Sequence, residues 1–206
     1  VHPRPDERHI RRSDVPALSE VMRPWRPNFE FNIEGFPDPA FLDLVASVKP
    51  EQCTLVPDDP NVFTSEEGWK LDDAQRAVVL PALERLKSLG ARVILFVDPD
   101  PAAADRVADI GADGIEIYTG SYAAAFKQGT HQALLAQCAQ TAERAKARGL
   151  VVNAGHDLNL ENIPLLVGAI PHLAEASIGH ELTADALLMG FEKAVAAYKS
   201  ALAGVP

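Results

Sequence analysis

Two imidazoles and two guanidiniums stand within eight residues at the start of this chain, His2-Pro3-Arg4-Pro5-Asp6-Glu7-Arg8-His9. Histidine exchanges protons near neutral pH. Arginine grips a phosphate through two parallel hydrogen bonds. The same cluster would also suit a solvated polar loop. Glu30 interrupts an apolar run in Asn28-Phe29-Glu30. A carboxylate there is a candidate base if buried and a salt-bridge partner if not. Glu116 interrupts Ile115-Glu116-Ile117. Strand faces alternate, so isoleucines turned toward helices would turn Glu116 inward. His156 follows a glycine in Asn153-Ala154-Gly155-His156-Asp157, and is placed to act as an acid or base at a strand's end. Ser177-Ile178-Gly179-His180-Glu181 runs from a strand into a helix, whose first backbone N–H groups suit an anion.

These residues need elements to position them. Six short β-rich, largely apolar runs occupy 29–33, 52–56, 92–97, 114–118, 150–154 and 173–178. Continuous apolar strands imply a sheet covered on both faces, hence parallel. Helical patterns occupy 13–22, 38–48, 72–89, 101–110, 130–148, 160–167 and 181–202. Asp38-Pro39 reads as a cap followed by the residue preferred at the first helical position. Gly90, Gly111, Gly149 and Gly168 read as stops. Pro81 predicts a kink or a boundary inside the third helix.

Alternating strands and helices mean an α/β fold. No glycine-rich dinucleotide fingerprint follows a strand, and the polar residues gather after strand ends. Both features favour a (β/α)8 TIM barrel with extra helices over a doubly wound sheet. The whole chain, 1–206, reads as one domain. A complete barrel takes about 250 residues, and Val1-His2 reads as a strand's last residues. The expectation is therefore an N-terminally incomplete barrel, lacking its first strand, first helix and most of its second strand.

The chain has 206 residues and a net charge of −10. That excludes a broadly basic nucleic-acid binder, but a small phosphate needs only a local cradle. No apolar run is long enough for a transmembrane helix. Cys53 and Cys138, far apart, read as reduced, buried thiols of a cytoplasmic protein. No His/Cys/Asp/Glu set has metal-ligand spacing, so no structural metal is expected. His131 and His172 fall on no strand end and read as packing or surface residues.

Together these segments resemble the pyridoxine 5′-phosphate synthase (PdxJ) family, the ring-closing enzymes of the deoxyxylulose-dependent vitamin B6 pathway. The resemblance rests on His2-x-Arg4 with His9, Asn28-Phe29-Glu30, Leu55-Val56-Pro57 with Thr64, Ile115-Glu116-Ile117-x-Thr119-Gly120-x-Tyr122-Ala123, Val152-Asn153-Ala154-Gly155-His156 and Ile178-Gly179-His180. It implies a homo-octamer of (β/α)8 barrels with no metal or organic cofactor. The implied reaction joins 3-amino-2-oxopropyl phosphate to 1-deoxy-D-xylulose 5-phosphate. By motif, His2 and Glu30 match proton acceptors, His156 a proton donor, and Glu116 a residue that steadies charged intermediates. Arg4, His9 and Thr64 match positions that hold the deoxyxylulose phosphate. Asp157, Gly179 and His180 match contacts to the amino-ketone phosphate. Many members carry glycine where Asp157 stands, so a contact there is expected through its backbone. The family's Asn-x-Asp-His motif is not in this sequence. Residues 58–70 are the expected lid. Two other readings stand beside this one: a different phosphate-binding barrel, a lyase or isomerase acting on one sugar phosphate, and a non-catalytic truncated barrel.

Overall fold

The structure, a computed structural model, describes residues 1–26, 28–57 and 67–204. Among these, six strands form one parallel sheet in chain order: β1 (Asn32–Gly35), β2 (Gln52–Leu55), β3 (Arg92–Val97), β4 (Gly114–Tyr118), β5 (Val151–Gly155) and β6 (Glu175–Ser177). Nine helices accompany them: α1 (Asp14–Met22), α2 (Pro39–Val48), α3 (Asp73–Ser88), α4 (Pro101–Asp109), α5 (Gly120–Lys127), α6 (Gln132–Ala147), α7 (Ile163–Ala169), α8 (His180–Met189) and α9 (Phe191–Leu202).

The sheet curls into a half-barrel. Gln52 Nε2 on β2 donates to Glu175 Oε2 on β6 at 2.9 Å, and Arg92 on β3 reaches the same carboxylate at 3.1 Å. In a flat sheet, strands four places apart lie about 19 Å from each other. Only strong curvature brings those side chains together on one concave face.

Alternation sorts the residues. Ile33, Cys53, Leu55, Val93, Leu95, Val97, Ile115, Ile117, Val152 and Ala154 join the buried cluster shared with the helices. Their neighbours Asn32, Glu34, Gln52, Thr54, Arg92, Phe96, Glu116, Asn153, Glu175 and Ser177 hold the concave face. Both thiols are buried, and burial pushes Cys138 up to about 12 and Cys53 well above the usual thiol range. Neither is a nucleophile at neutral pH.

The Asp38 cap acts as expected, and two further aspartates cap α3 and α4. Asp38 accepts from Phe41 N at 2.8 Å, Asp72 from Gln75 N at 2.9 Å, and Asp100 from Ala102 N at 2.9 Å. Four details differ from the sequence reading. Gly168, expected as a stop, lies inside α7, which runs on to Ala169. Helix α3 runs through Pro81 without a boundary. Pro81 and Ala77, whose carbonyl loses its helical donor, lie on the exposed face, where water can replace that donor. The single helix expected at 181–202 is two, divided at Gly190, whose φ of 88° belongs to glycine. Helix α5 was read as loop. Its first turn, Gly120-Ser121, resembles a turn more than a helix start.

Candidate active site

The first two residues lie along β1 as a neighbouring parallel strand would. Val1 N donates to Asn32 O and Glu34 N donates to Val1 O, both at 2.8 Å. This pairing sets His2 against Glu34, with Nδ1 3.3 Å from Oε1. Burial alone would raise the Glu34 carboxyl. The hydrogen bond and charge of His2, helped by His156, outweigh burial and hold it below the usual carboxylate range.

Glu116 occupies the facing part of β4 and is 1% exposed. Burial pushes its carboxyl up to about 8, and the Glu34 charge adds to the shift. Gly155 makes room for it: a Cβ there would stand 2.1 Å from Glu116 Oε1. Two carboxyls in one pocket thus have divergent proton affinities, the pattern that assigns one as base and the other as acid.

His156 enters from the end of β5. Its φ is 84° and that of Asp157 is 56°, so two consecutive side-chain-bearing residues sit in the left-handed region. Such strain persists only where neighbours enforce it. Thr119 does so, its one hydroxyl proton shared between Gly155 O at 2.5 Å and His156 O at 2.6 Å. Asn162 Nδ2 donates to Asp157 O at 3.0 Å, and Tyr122 in α5 donates to Asn162 O at 2.8 Å. The missed helix α5 therefore supports the turn. The His156 ring then packs on Phe96 and Tyr118, with centroids 5.2 and 5.3 Å away.

The loop after His2 doubles back. Arg4 is buried within it, and His9 meets His180 edge to face at 5.6 Å, joining the opening loop to the start of α8. Gly179 caps α8 without a side-chain bond, so no cap side chain takes the first-turn N–H groups. Asp157 contributes backbone at the same end of the sheet.

The structure brings His2, Glu116 and His156 together around Glu34, and sets His9 against His180 at the start of α8. It does not bring Glu30 to them. Glu30 precedes β1 at the opposite end of the sheet, paired with Arg92 and half-exposed. The Arg92 guanidinium holds its carboxyl low, the reverse of a poised base. Glu34, which the sequence reading passed over, takes the place expected of Glu30. The two share a strand face, four residues and about 13 Å apart. The signal was available in Phe31-Asn32-Ile33-Glu34-Gly35, an alternation that ends at a glycine just before the Asp38 cap. Thr64 and most of the expected lid lie outside the described residues. Of that segment's described residues, Trp69 Nε1 donates to Leu55 O at 2.9 Å, and Gly68 lies against the backbone of Val97 and Asp98, where a Cβ would approach to 2.3 Å. Among the described residues, no three His, Cys, Asp or Glu side chains are grouped to hold a metal ion.

Comparison with known proteins agrees with this layout. Solved structures share the fold at low identity. A protein from Aquifex aeolicus superimposes with a TM-score of 0.63 at 14% identity, covering 95% of this chain and 70% of its own. The Amycolatopsis orientalis BexX/CysO complex gives 0.58 at 16% identity, covering 98% and 80%. Curated relatives are much closer in sequence. Pyridoxine 5′-phosphate synthase of Brucella suis is 52% identical over 206 residues, covering 99% of this chain and 83% of the relative. That of Brucella anthropi is 51% identical over 207 residues, covering 98% and 83%. The sequence profile of the pyridoxal phosphate biosynthesis protein PdxJ matches residues 1–204, and the chain belongs to that family.

Proposed function

We infer that the chain is a pyridoxine 5′-phosphate synthase, an enzyme of vitamin B6 biosynthesis, and that its complete fold is a (β/α)8 barrel. One observation carries the mechanism: two histidines and two buried carboxyls of divergent proton affinity converge at the C-terminal strand ends. That is where barrel enzymes work.

The substrates we assign are 3-amino-2-oxopropyl phosphate and 1-deoxy-D-xylulose 5-phosphate. Their amine and ketone condense to an imine with loss of water. Protons then leave carbon, phosphate is eliminated from the sugar part, water adds, and the ring closes and aromatises. Each step moves a proton, so positioned acids and bases suffice. Glu34 and His2 accept protons, and the ionised Glu34 is the stronger candidate for carbon. His156 donates to departing oxygen. Glu116 steadies charged intermediates. Arg4 and His9 hold one phosphate. The first turn of α8 at Gly179-His180 and the Asp157 backbone hold the other.

Leu187, Leu188 and Phe191 are 82%, 88% and 64% exposed at the α8–α9 elbow, an apolar surface suited to assembly into the homo-octamer. The reduced thiols suit a cytoplasmic setting.

The deciding experiment is product formation by the protein with both substrates and with each alone. Pyridoxine 5′-phosphate and inorganic phosphate appearing only with both supports the synthase. Turnover of the sugar phosphate alone replaces it with a lyase or isomerase.

A further inference from the structure

The concave face holds two buried acceptors that the reaction chemistry leaves unexplained. Glu116 Oε2 and Asn153 Oδ1 are both enclosed without a hydrogen-bond partner. Buried polar atoms in native proteins are nearly always paired. These two are neighbours: Glu116 and Asn153 are register partners on adjacent parallel strands, on the same face, where side chains lie about 5 Å apart.

The Asn153 amide cannot turn round to relieve them. Its Nδ2 donates to Glu175 Oε2 at 3.2 Å. That carboxylate already accepts from Gln52 at 2.9 Å and from Arg92 at 3.1 Å. A carboxylate so engaged wants a donor, so Nδ2 faces it and Oδ1 faces away. On the other side, Gly155 leaves space for Glu116 Oε1, and Ser177, 3.0 Å from that space, supplies a hydrogen bond to the carboxyl.

One proton satisfies both orphans. An ionised Glu116 would set two bare acceptors side by side in a dry pocket. A neutral Glu116 donates its O–H to Asn153 Oδ1 and leaves nothing unpaired. We propose that Glu116 is carried as the neutral acid at physiological pH, with Asn153, fixed by Glu175, as the positioning residue that receives its proton.

The charged groups around Glu116 agree. Glu34 on β1 and Glu175 on β6 both disfavour a further negative charge, with burial the largest influence; the Ser177 hydrogen bond opposes them. Glu116 then meets substrate as a hydrogen-bond donor rather than as an anion. This last consequence rests on the synthase reading. The protonation state itself does not.

Infrared difference spectroscopy of the protein without substrate tests the protonation directly. A protonated carboxylic-acid carbonyl band at pH 7, absent from Glu116→Gln, is expected. In Asn153→Leu that band should fall to about half at pH 7, with its midpoint about one unit lower than in the parent, because the acid has lost its acceptor. Asn153→Asp, which can share the proton, should keep the band to higher pH and serves if the leucine variant fails to fold. No acid band at pH 7 in the parent protein overturns the proposal. So does a band whose pH dependence is the same in both Asn153 variants as in the parent. If the spectra are as expected but no synthase turnover is seen, the function is wrong and the proton assignment stands.

Discussion

The concave face of the sheet has two ends, and both are lined with carboxylates. At the N-terminal end Glu30, Glu51 and Glu175 meet Arg92, Arg26 and Gln52. Arg92 contacts Glu30, Glu175 and Gln52, while Arg26 donates to Glu51 at 2.8 Å, and Glu51 in turn accepts from Phe31 N at 2.8 Å. At the C-terminal end, among the described residues, Glu34 and Glu116 face each other, the imidazoles of His2 and His156, and the Ser177 hydroxyl. An arginine stays charged at any working pH, and Arg92 and Arg26 hold Glu30 and Glu51 below the usual carboxylate range, while burial raises Glu175. An imidazole gains and loses its proton in the range where the enzyme works. The same residue type is therefore a fastener at one end and a reagent at the other. The difference lies in the partner cation and in water access.

Substitutions can break this contrast. The largest effect is expected at Glu34→Gln, a loss of about 10²–10⁴ in kcat with stability nearly unchanged. Steady-state kinetics beside a thermal melt checks it, and an unimpaired variant would remove Glu34 from the chemistry.

Glu116→Gln should affect stability in the opposite sense from a fastener. The folded protein raises this carboxyl to about 8. Its contribution is thus fully present below the unfolded-state value near 4.5 and is lost as pH rises toward 8. The glutamine variant should gain on the order of 3 kcal/mol over the parent near pH 7, and should match it near pH 4. Denaturant titrations at the two pH values measure the gap. A gap that does not grow with pH refutes the raised affinity.

Arg92→Met should unfasten the other end, costing about 2 kcal/mol by denaturant titration, a value between those of exposed and buried pairs. Turnover at low temperature should survive. Thr119→Val should reduce kcat about tenfold, since it frees the strained His156 turn at a cost of about 1 kcal/mol. Rescue by Thr119→Ser would tie the effect to the hydroxyl.

The smallest change is expected at Glu30→Gln. Arg92 lowers the Glu30 carboxyl, so its stabilisation is present above the unfolded-state value and lost as pH falls through the folded one. Glu30 is half-exposed and screened, so its removal should cost under about 1 kcal/mol. Activity should stay within about twofold. A catalytic collapse in this variant would reverse the roles assigned to the two ends.

Much of this was legible along the chain. The Asp38-Pro39 cap, the stops at Gly90, Gly111 and Gly149 and the apolar runs located all six strands to within a few residues. Ile115-Glu116-Ile117 showed which way Glu116 faces. Helix α5 was not legible, because its start reads as a turn and its stability comes from Tyr122 buried against Asn162. The misplacement of Glu30 has a sharper cause. Glu30 and Glu34 have the same parity, so alternation puts both on the concave face and cannot rank them.

The order of amino acids by itself determined the parallel α/β plan, the sorting of side chains into two faces and the set of groups able to do acid–base work. Those follow from local rules of period, capping and burial. Tertiary structure alone decided which carboxylate has an arginine for company and which a histidine. It also decided where His9 meets His180 and how Thr119 enforces the His156 turn. These contacts join residues from roughly 30 to 170 positions apart, and only the curl of the sheet and the return of the chain bring them within reach.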